Sequence, residues 1–144
     1  MKDKYISIVI GTRPEAIKLA PLILAFKKIK YIKLRIILTG QHKEMVSQVM
    51  DLFKIKASIN LDIMTAKQSL NEIANLIIVG MQKEIKKFPP DLLLVQGDTN
   101  SAFITSLAAF YEKIPIGHIE AGLRSNNLFN PFPEEANRKL ISQI

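Results

Sequence analysis

Short apolar runs alternate along this chain with longer segments of helical periodicity, and this alternation constrains the fold more than any other feature. Apolar and β-branched runs of this kind are typical of parallel strands buried under helices. Candidate strands fall at 5–10, 34–38, 59–63, 92–95 and 114–119, and candidate helices at about 14–29, 41–53, 69–87, 100–112 and from 134 to 144. The rhythm predicts an α/β fold, a Rossmann-like parallel sheet with helices on both faces.

The predicted first helix has a clear start and an unusual interior. Thr12 followed by Glu15, with Pro14 in the first turn, is a capping-box signature. Pro21 predicts a kink or a short break in this helix. The helical spacing places five residues near one side: Ile17, Ala20, Pro21, Leu24 and Ala25. Gly11, which ends the preceding strand, is interpreted as a tight turn.

The polar residues that attract attention lie mostly just after predicted strands. They are Arg13, Gln41, His42, Asp98 and Glu120. Ligands bind open parallel sheets at the carboxyl ends of the strands. We therefore expect these side chains to share one edge of the sheet.

The segment 116–138 concentrates ionisable groups and completes a set of three acids. Asp98 or Thr99 can cap the next helix, and Asp98 is otherwise a candidate acid. Glu120 ends an apolar strand and must be paired or functional. Glu134 opens the last helix, where acids suit the helix dipole. Arg138 follows it by four residues, which predicts an ion pair on one helix face.

Arg13 and Lys18 are the candidate anion-binding residues. Arg13 lies in a strand-to-helix turn where backbone N–H groups favour a phosphate oxygen, although Glu15 nearby opposes an anion. Lys18, one turn further, is either a ligand-binding residue or a solvated surface residue. No GxGxxG or GxxxxGK[ST] motif follows a strand, so neither a dinucleotide site nor a P-loop is indicated.

Two histidines and two phenylalanines leave alternatives open. His118 lies inside an apolar strand, which favours a hydrogen-bonded core histidine over an acid or base. The role of His42 is not fixed by spacing. Phe129 and Phe132, between prolines, form either a lid over the acids or a packing contact with the neighbouring helix.

Composition excludes several classes of function. The chain has no cysteine and only two histidines without ligand spacing, so a metal site is not predicted. The net charge of +7 comes largely from lysines at 27–33 and 83–87, which lack interleaved aromatics and favour solvated faces over nucleic-acid binding. No apolar stretch approaches the roughly 20 residues that span a bilayer, so we expect no membrane partner and a cytoplasmic location.

Six segments together resemble the non-hydrolysing UDP-N-acetylglucosamine 2-epimerase family. They match in order and spacing along the whole chain: GTRPEAIKLAP (11–21), TGQH (39–42), VQGDT (95–99), SLAAFY (106–111), GHIEAGLRS (117–125) and PFPEEANR (131–138). Hydrolysing relatives depart in the first and fifth of these segments. A related branch that acts on diacetamido sugar nucleotides carries a different turn in place of GTRPEA.

The resemblance implies a mechanism and assigns residues to it. It implies inversion at C2 of UDP-GlcNAc to give UDP-ManNAc without a redox cofactor, by elimination of UDP and its re-addition. The positions that match the family's catalytic acids are Asp98, Glu120 and Glu134. The positions that match its substrate-binding or charge-positioning residues are Arg13, Lys18 and Arg138, and Asp98 and Glu120 are expected to contact substrate as well.

Some members of that family bind a second UDP-GlcNAc as an activator between two domains. Gln41 matches that allosteric site, whereas Glu44 stands where some activated members have glutamine. Both residues are therefore candidate allosteric positions.

The same resemblance implies that residues 1–144 form the N-terminal domain of a two-domain GT-B fold, cut within its last helix and without the C-terminal nucleotide-binding domain. The isolated chain is then expected to have little or no epimerase activity. The alternatives are an inactive or split-enzyme module that docks onto a missing C-terminal half, or an epimerase of a diacetamido sugar nucleotide. A homodimer is expected from the relatives.

Overall fold

A computed structural model describes residues 2–144, with the exception of the Lys43 side chain. The predicted alternation is confirmed, with five strands and five helices in the described chain. In chain order they are β1 (Lys4–Ile10), α1 (Arg13–Phe26), β2 (Ile32–Leu38), α2 (Lys43–Leu52), β3 (Ile59–Asn60), α3 (Leu70–Lys87), β4 (Leu92–Gln96), α4 (Asn100–Tyr111), β5 (Ile116–Ile119) and α5 (Glu134–Ile141).

All strand pairs are parallel, and the sheet has the order β3-β2-β1-β4-β5. This is a Rossmann-like order, in which the chain runs outward from β1 in one direction and then from β4 in the other. The reversal falls between β1 and β4, whose carboxyl ends are Ile10 and Gln96. The crevice outside those two strand ends is the ordinary ligand position of such a sheet.

Each face of the sheet has its own apolar core, so helices cover both faces as predicted. Alternate residues of β1 enter the two cores: Ile8 packs with α1 and α2, whereas Val9 packs with α3 and α4. The largest fully buried side chains on the α3 face include Ile77 and Met81. Two cores of this size hold the sheet rigidly beneath the loops at its carboxyl edge.

Helix α1 is continuous through Pro21, so the predicted break is absent, and its buried face agrees only in part with the predicted one. Ala20 is buried and Leu24 packs against the core, whereas Ile17 is 45% exposed and Pro21 and Ala25 are exposed. Leu19 and Ile23 are fully buried. The position of Glu15 accounts for this shift of the buried face. Its carboxylate turns inward at the first turn, and Leu19 and Ile23 lie one and two turns later on the same side of the helix.

Several element ends differ from the predicted bounds for local reasons. β5 begins at Ile116, since Pro115 has no N–H to donate to the ladder. β3 ends at Asn60, before Asp62 takes a positive φ of 51°. Helix α5 ends at Ile141 with Ser142 as its C-cap, so the prediction that it continues to Ile144 was wrong.

Candidate functional site

The turns after β1 and β4 meet the end of β5 around a cavity of about 240 Å³ at the point where the strand order reverses. The cavity is mostly lined by polar and ionisable residues, which come from α1, β4, the turn after β4, the end of β5 and α5. The principal ones are Thr12, Glu15, Lys18, Gln96, Asp98, Thr99, Glu120 and Arg138. The prediction that the polar residues after strands share one edge is confirmed for Asp98 and Glu120.

Gly11 allows this close assembly. A Cβ at Gly11 would lie 2.4 Å from the Ser101 Oγ atom in the first turn of α4. The interpretation of Gly11 as only a tight turn was incomplete, because the residue also lets α4 approach β1. Larger residues at this position would push the α4 N-terminus, and with it Asp98 and Thr99, away from α1.

The Glu15 carboxylate occupies the anion-binding position at the N-terminus of α1. Its two oxygens accept hydrogen bonds from the Gly11 N–H at 2.7 Å, the Thr12 N–H at 2.5 Å and the Thr99 hydroxyl at 2.6 Å. The expectation that these backbone N–H groups are free for a phosphate was therefore wrong. Arg13 itself is exposed and has no hydrogen bond or ion pair with the described residues, so its role in substrate binding stays a prediction.

Burial raises the pKa of Glu15 above its ordinary value of 4.5, although the hydrogen bonds from Thr99, Gly11 and Thr12 act in the opposite direction. The residue is only 2% exposed. A carboxyl group with a raised pKa in the folded state contributes stability at low pH, and that contribution is lost as the pH rises from 4.5 through the folded pKa.

Glu15→Gln tests this assignment. Glutamine keeps the shape and a carbonyl acceptor for the two N–H groups but does not titrate. We expect the difference in unfolding free energy, wild type minus variant, to fall as the pH rises above 4.5 and then to level off. Urea unfolding followed by circular dichroism at several pH values measures it. A difference that rises with pH would show that the Glu15 pKa is lowered instead.

Asp98 does not cap helix α4, so the capping alternative was wrong. The N-cap is Thr99, whose hydroxyl accepts a hydrogen bond from the Ala102 N–H at 3.0 Å. The Asp98 carboxylate instead pairs with the Arg138 guanidinium, and its carbonyl accepts a hydrogen bond from the Asn137 side chain at 2.9 Å. The acid is therefore held from α5 and remains 30% exposed at its side chain.

Glu120 is paired, as its position at the end of an apolar strand predicted. The Lys18 ammonium lies 2.8 and 2.7 Å from its two carboxylate oxygens, and the buried Gln96 amide donates to one of them. Glu120 has a φ of 60°, a left-handed conformation that is uncommon for a residue with a side chain. Backbone strain of this kind clusters at functional sites.

Arg138 joins two of the predicted acids. Its guanidinium pairs with the Asp98 carboxylate and donates a second hydrogen bond to the Glu120 carbonyl, and its side chain is only 4% exposed. The predicted ion pair between Arg138 and Glu134 was wrong. The partner of Arg138 is Asp98, in the turn after β4, because the face of α5 that carries Arg138 points toward the carboxyl ends of the strands.

Glu134 lies on the other side of Arg138, beside a second cavity of about 250 Å³ that Asp98 and Arg138 also line. Its Oε2 atom is buried and has no hydrogen-bond partner among the described residues. The neighbouring Glu135 accepts hydrogen bonds from the Ser125 N–H at 2.7 Å and the Asn126 N–H at 3.2 Å. These hydrogen bonds lower the pKa of Glu135 and stabilise the loop after β5.

The remaining candidates lie around this centre. Gln41 accepts a hydrogen bond from the Ser101 hydroxyl at 2.7 Å, and Glu44 is exposed in the first turn of α2, so the allosteric assignment stays a prediction. Phe129 and Phe132 are 80% and 61% exposed, which contradicts the packing alternative. Their role as a lid stays a prediction.

Two site residues were missed from the sequence. Gln96 follows the strand run LLLV, and a polar residue at a buried strand end was the available signal. Asn137, which holds the Asp98 carbonyl, carried no signal beyond its place next to Arg138 in α5.

Among the described residues, no group of three or more histidine, aspartate, glutamate or cysteine side chains could hold a metal ion. The described helices also include none that is long and apolar enough to cross a membrane.

The fold and the site together define a class: a Rossmann-like domain whose switch-point cleft carries acids and cations in place of a glycine-rich phosphate loop. A sequence model described as UDP-N-acetylglucosamine 2-epimerase matches residues 24–144, and the chain belongs to that family. Its sheet corresponds to the N-terminal domain of the two-domain GT-B fold, as predicted.

Known relatives agree over almost the whole chain. The UDP-N-acetylglucosamine 2-epimerase of Neisseria meningitidis is 55% identical over 136 residues, which are 94% of this chain and 37% of the relative. That of Campylobacter jejuni is 49% identical over 141 residues, 98% of this chain and 37% of the relative. The chain therefore spans little more than a third of the length of these relatives.

A solved structure matches in three dimensions as well. The crystal structure of the Neisseria meningitidis UDP-GlcNAc 2-epimerase bound to UDP-GlcNAc superposes with a TM-score of 0.93 at 53% sequence identity. The match covers 96% of this chain and 38% of that one.

Proposed function

We propose that this chain supplies the N-terminal wall of the active site of a UDP-GlcNAc 2-epimerase, an isomerase that interconverts UDP-GlcNAc and UDP-ManNAc. The observation that carries the proposal is the position of Arg138, which holds the Asp98 carboxylate and the Glu120 main chain together at the switch point. Family membership and the UDP-GlcNAc bound to the Neisseria meningitidis relative support the choice of substrate.

The proposed reaction removes one proton from C2 of the sugar and returns one proton to the opposite face of the same carbon. A carboxylate removes the proton from C2 while the C1–O bond to UDP breaks and a C1=C2 double bond forms. UDP then adds back to C1, and a carboxylic acid returns a proton to the opposite face of C2. The reaction therefore needs acid and base groups on both faces of the sugar, together with cations for the departing diphosphate.

The residues of this chain fit those needs in two groups. Asp98, Glu120 and Glu134 provide the acid and base groups, distributed over two adjoining cavities that share Asp98. The exposed Arg13 lies in the first turn of α1 and Lys18 lies one turn further, and both can meet a diphosphate. An incoming anion would compete with Glu120 for Lys18, since that ion pair is half-exposed and weakly held.

The proposal also predicts that this wall is insufficient by itself. The cleft of a GT-B protein lies between two domains, and the chain spans 37% of its relative from Neisseria meningitidis. The cytoplasmic location and the homodimer inferred from the resemblance stay predictions.

A chimaera tests the proposed function. In it, this chain replaces the matching N-terminal segment of the Neisseria meningitidis relative, with which it is 55% identical. We expect the chimaera to convert UDP-GlcNAc to UDP-ManNAc and the isolated chain to convert little or none, as measured by proton NMR of the anomeric signals. The unmodified relative is the positive control.

A folded chimaera without epimerase activity would contradict the proposed function, provided that circular dichroism and gel filtration match those of the relative. Robust turnover by the isolated chain would contradict the inference that the second wall is required.

A further inference from the structure

The ring of His118 links β5 to the turn that carries Asp98. Its Nε2 atom lies 2.6 Å from the Gly97 carbonyl oxygen. Because a carbonyl only accepts, the proton of this hydrogen bond belongs to Nε2, and the neutral ring then carries no proton on Nδ1. The prediction that His118 is a hydrogen-bonded core residue was therefore correct for one nitrogen, in a residue that is half-buried.

The other nitrogen of the ring is unusual. The Nδ1 atom is buried and has no hydrogen-bond partner in the described part of the chain. A second proton placed there would have no acceptor, and a buried donor without a partner is costly. The ring is therefore built to remain a neutral donor toward Gly97.

The charged groups around the ring act in both directions. Burial lowers the pKa of His118 below its ordinary value of 6.5, and the positive charges of Arg138 from α5 and Arg124 from the loop after β5 lower it further. The hydrogen bond to Gly97 and the negative charge of Asp98 oppose this shift. The other elements packed against β5 are its neighbouring strand β4 and helix α4, and neither contains a charged residue.

The accepting carbonyl has a direct connection to Asp98. The Gly97 carbonyl and the Asp98 N–H belong to the same peptide group. Gly97 has a φ of 76°, and its N–H donates to the Ile119 carbonyl at 3.0 Å, so β5 holds this glycine on both sides. Asn137 from α5 holds the Asp98 carbonyl in turn.

We propose that His118 is a positioning residue, whose neutral ring fixes the Gly97–Asp98 peptide and so directs the Asp98 carboxylate toward Arg138. In this role His118 is a hydrogen-bond donor and exchanges no proton with a substrate. The assignment rests on the proposed function only in that Asp98 acts on the sugar, because the positioning itself is a property of this chain alone.

The first test uses the chain labelled with nitrogen-15 and needs no enzymatic activity. Long-range proton–nitrogen spectra distinguish the two neutral tautomers and the charged ring of His118, with His42 as an internal comparison. We expect the Nε2-protonated neutral form at neutral pH and still at the ordinary histidine pKa of 6.5, because burial lowers the pKa of His118. At still lower pH, the Asp98 amide nitrogen signal should shift in step with protonation of His118.

The second test uses two amide variants that differ in reach. In His118→Gln the side-chain NH₂ occupies the place of Nε2, whereas in His118→Asn it is one bond too short. We expect His118→Gln to keep the Asp98 amide signal and the slowly exchanging guanidinium protons of Arg138 near their wild-type values. In His118→Asn those protons should exchange roughly tenfold faster.

His118→Gln should also abolish the pH-dependent shift of the Asp98 signal. An Nδ1-protonated or a charged ring at neutral pH would overturn the proposal, as would wild-type signals in His118→Asn. If His118→Asn does not fold, the tautomer, the wild-type titration and the His118→Gln spectra decide. An inactive chimaera alongside these results would count against the proposed function and not against this positioning.

Discussion

In the active chimaera, the variants Glu120→Gln, Asp98→Asn and Glu134→Gln are each expected to lower kcat by about 10²- to 10⁴-fold, the usual contribution of a general acid or base. Each amide keeps the shape of its acid and loses the ability to accept or return a proton. The expectation follows from the places of these residues beside the two adjoining cavities at the carboxyl edge of the sheet.

Glu120→Gln separates catalysis from stability most cleanly. Its ion pair with Lys18 is 49% and 31% exposed at the two side chains, so its loss should change the unfolding free energy by less than about 1 kcal/mol. The rate should therefore fall while the thermal unfolding curve hardly moves. Steady-state kinetics with UDP-GlcNAc, followed by NMR, give kcat and KM for both proteins.

Asp51→Asn is the matched control, because Asp51 is an exposed acid of α2 away from both cavities. It should leave kcat and KM unchanged. A Glu120→Gln chimaera that turns over at a near-normal rate would remove Glu120 from the set of catalytic residues, and the same reading applies to Asp98 and Glu134.

The fold was predictable because its signals are local. Continuous apolar runs identified the strands, and capping residues and prolines identified the helix ends. The parallel arrangement then followed from the alternation of strands with helices. The position of the site followed as well, because polar residues after parallel strands necessarily meet at one edge.

The partners of the site residues were not predictable, because they depend on tertiary contacts. The spacing of Glu134 and Arg138 predicted a pair on one helix face, yet the Arg138 guanidinium points inward to Asp98. A surface pair of that spacing is worth only about 0.2 to 0.5 kcal/mol, which is too little to compete with a buried contact. Tertiary contacts also decide which face of α1 is buried, because the Glu15 carboxylate turns inward against the simple helical pattern.

The backbone conformation of Glu120 could not be predicted from the sequence either. Glu120 takes a left-handed φ of 60°, although nothing in its residue type indicates it. Glycine and asparagine are the residues that signal this conformation, and here a carboxylate adopts it at the end of β5. Glu120 makes three contacts in this conformation. Their partners belong to separate elements and are Lys18, Gln96 and Arg138.

The ion pair between the buried Arg138 and the partly exposed Asp98 should dominate the stability of this edge of the sheet. We expect Asp98→Ala to lower the unfolding free energy of the chain by about 3 to 5 kcal/mol, because it leaves a buried guanidinium without a counter-charge. Arg138→Met should cost less, since the Asp98 carboxylate that it leaves is 30% exposed and can be hydrated, whereas the Arg138 side chain is 4% exposed.

Urea unfolding of the wild type, both single variants and the double variant measures this asymmetry and the coupling between the two residues. The double variant should be more stable than Asp98→Ala alone, because it removes the unpaired charge. Asp3→Ala, which breaks an exposed pair with Lys33 at 3.7 Å, is the control and should cost less than about 1 kcal/mol. If the losses from Asp98→Ala and Arg138→Met simply add in the double variant, the two residues are not coupled, and the Arg138 guanidinium does not depend on Asp98 for its charge balance.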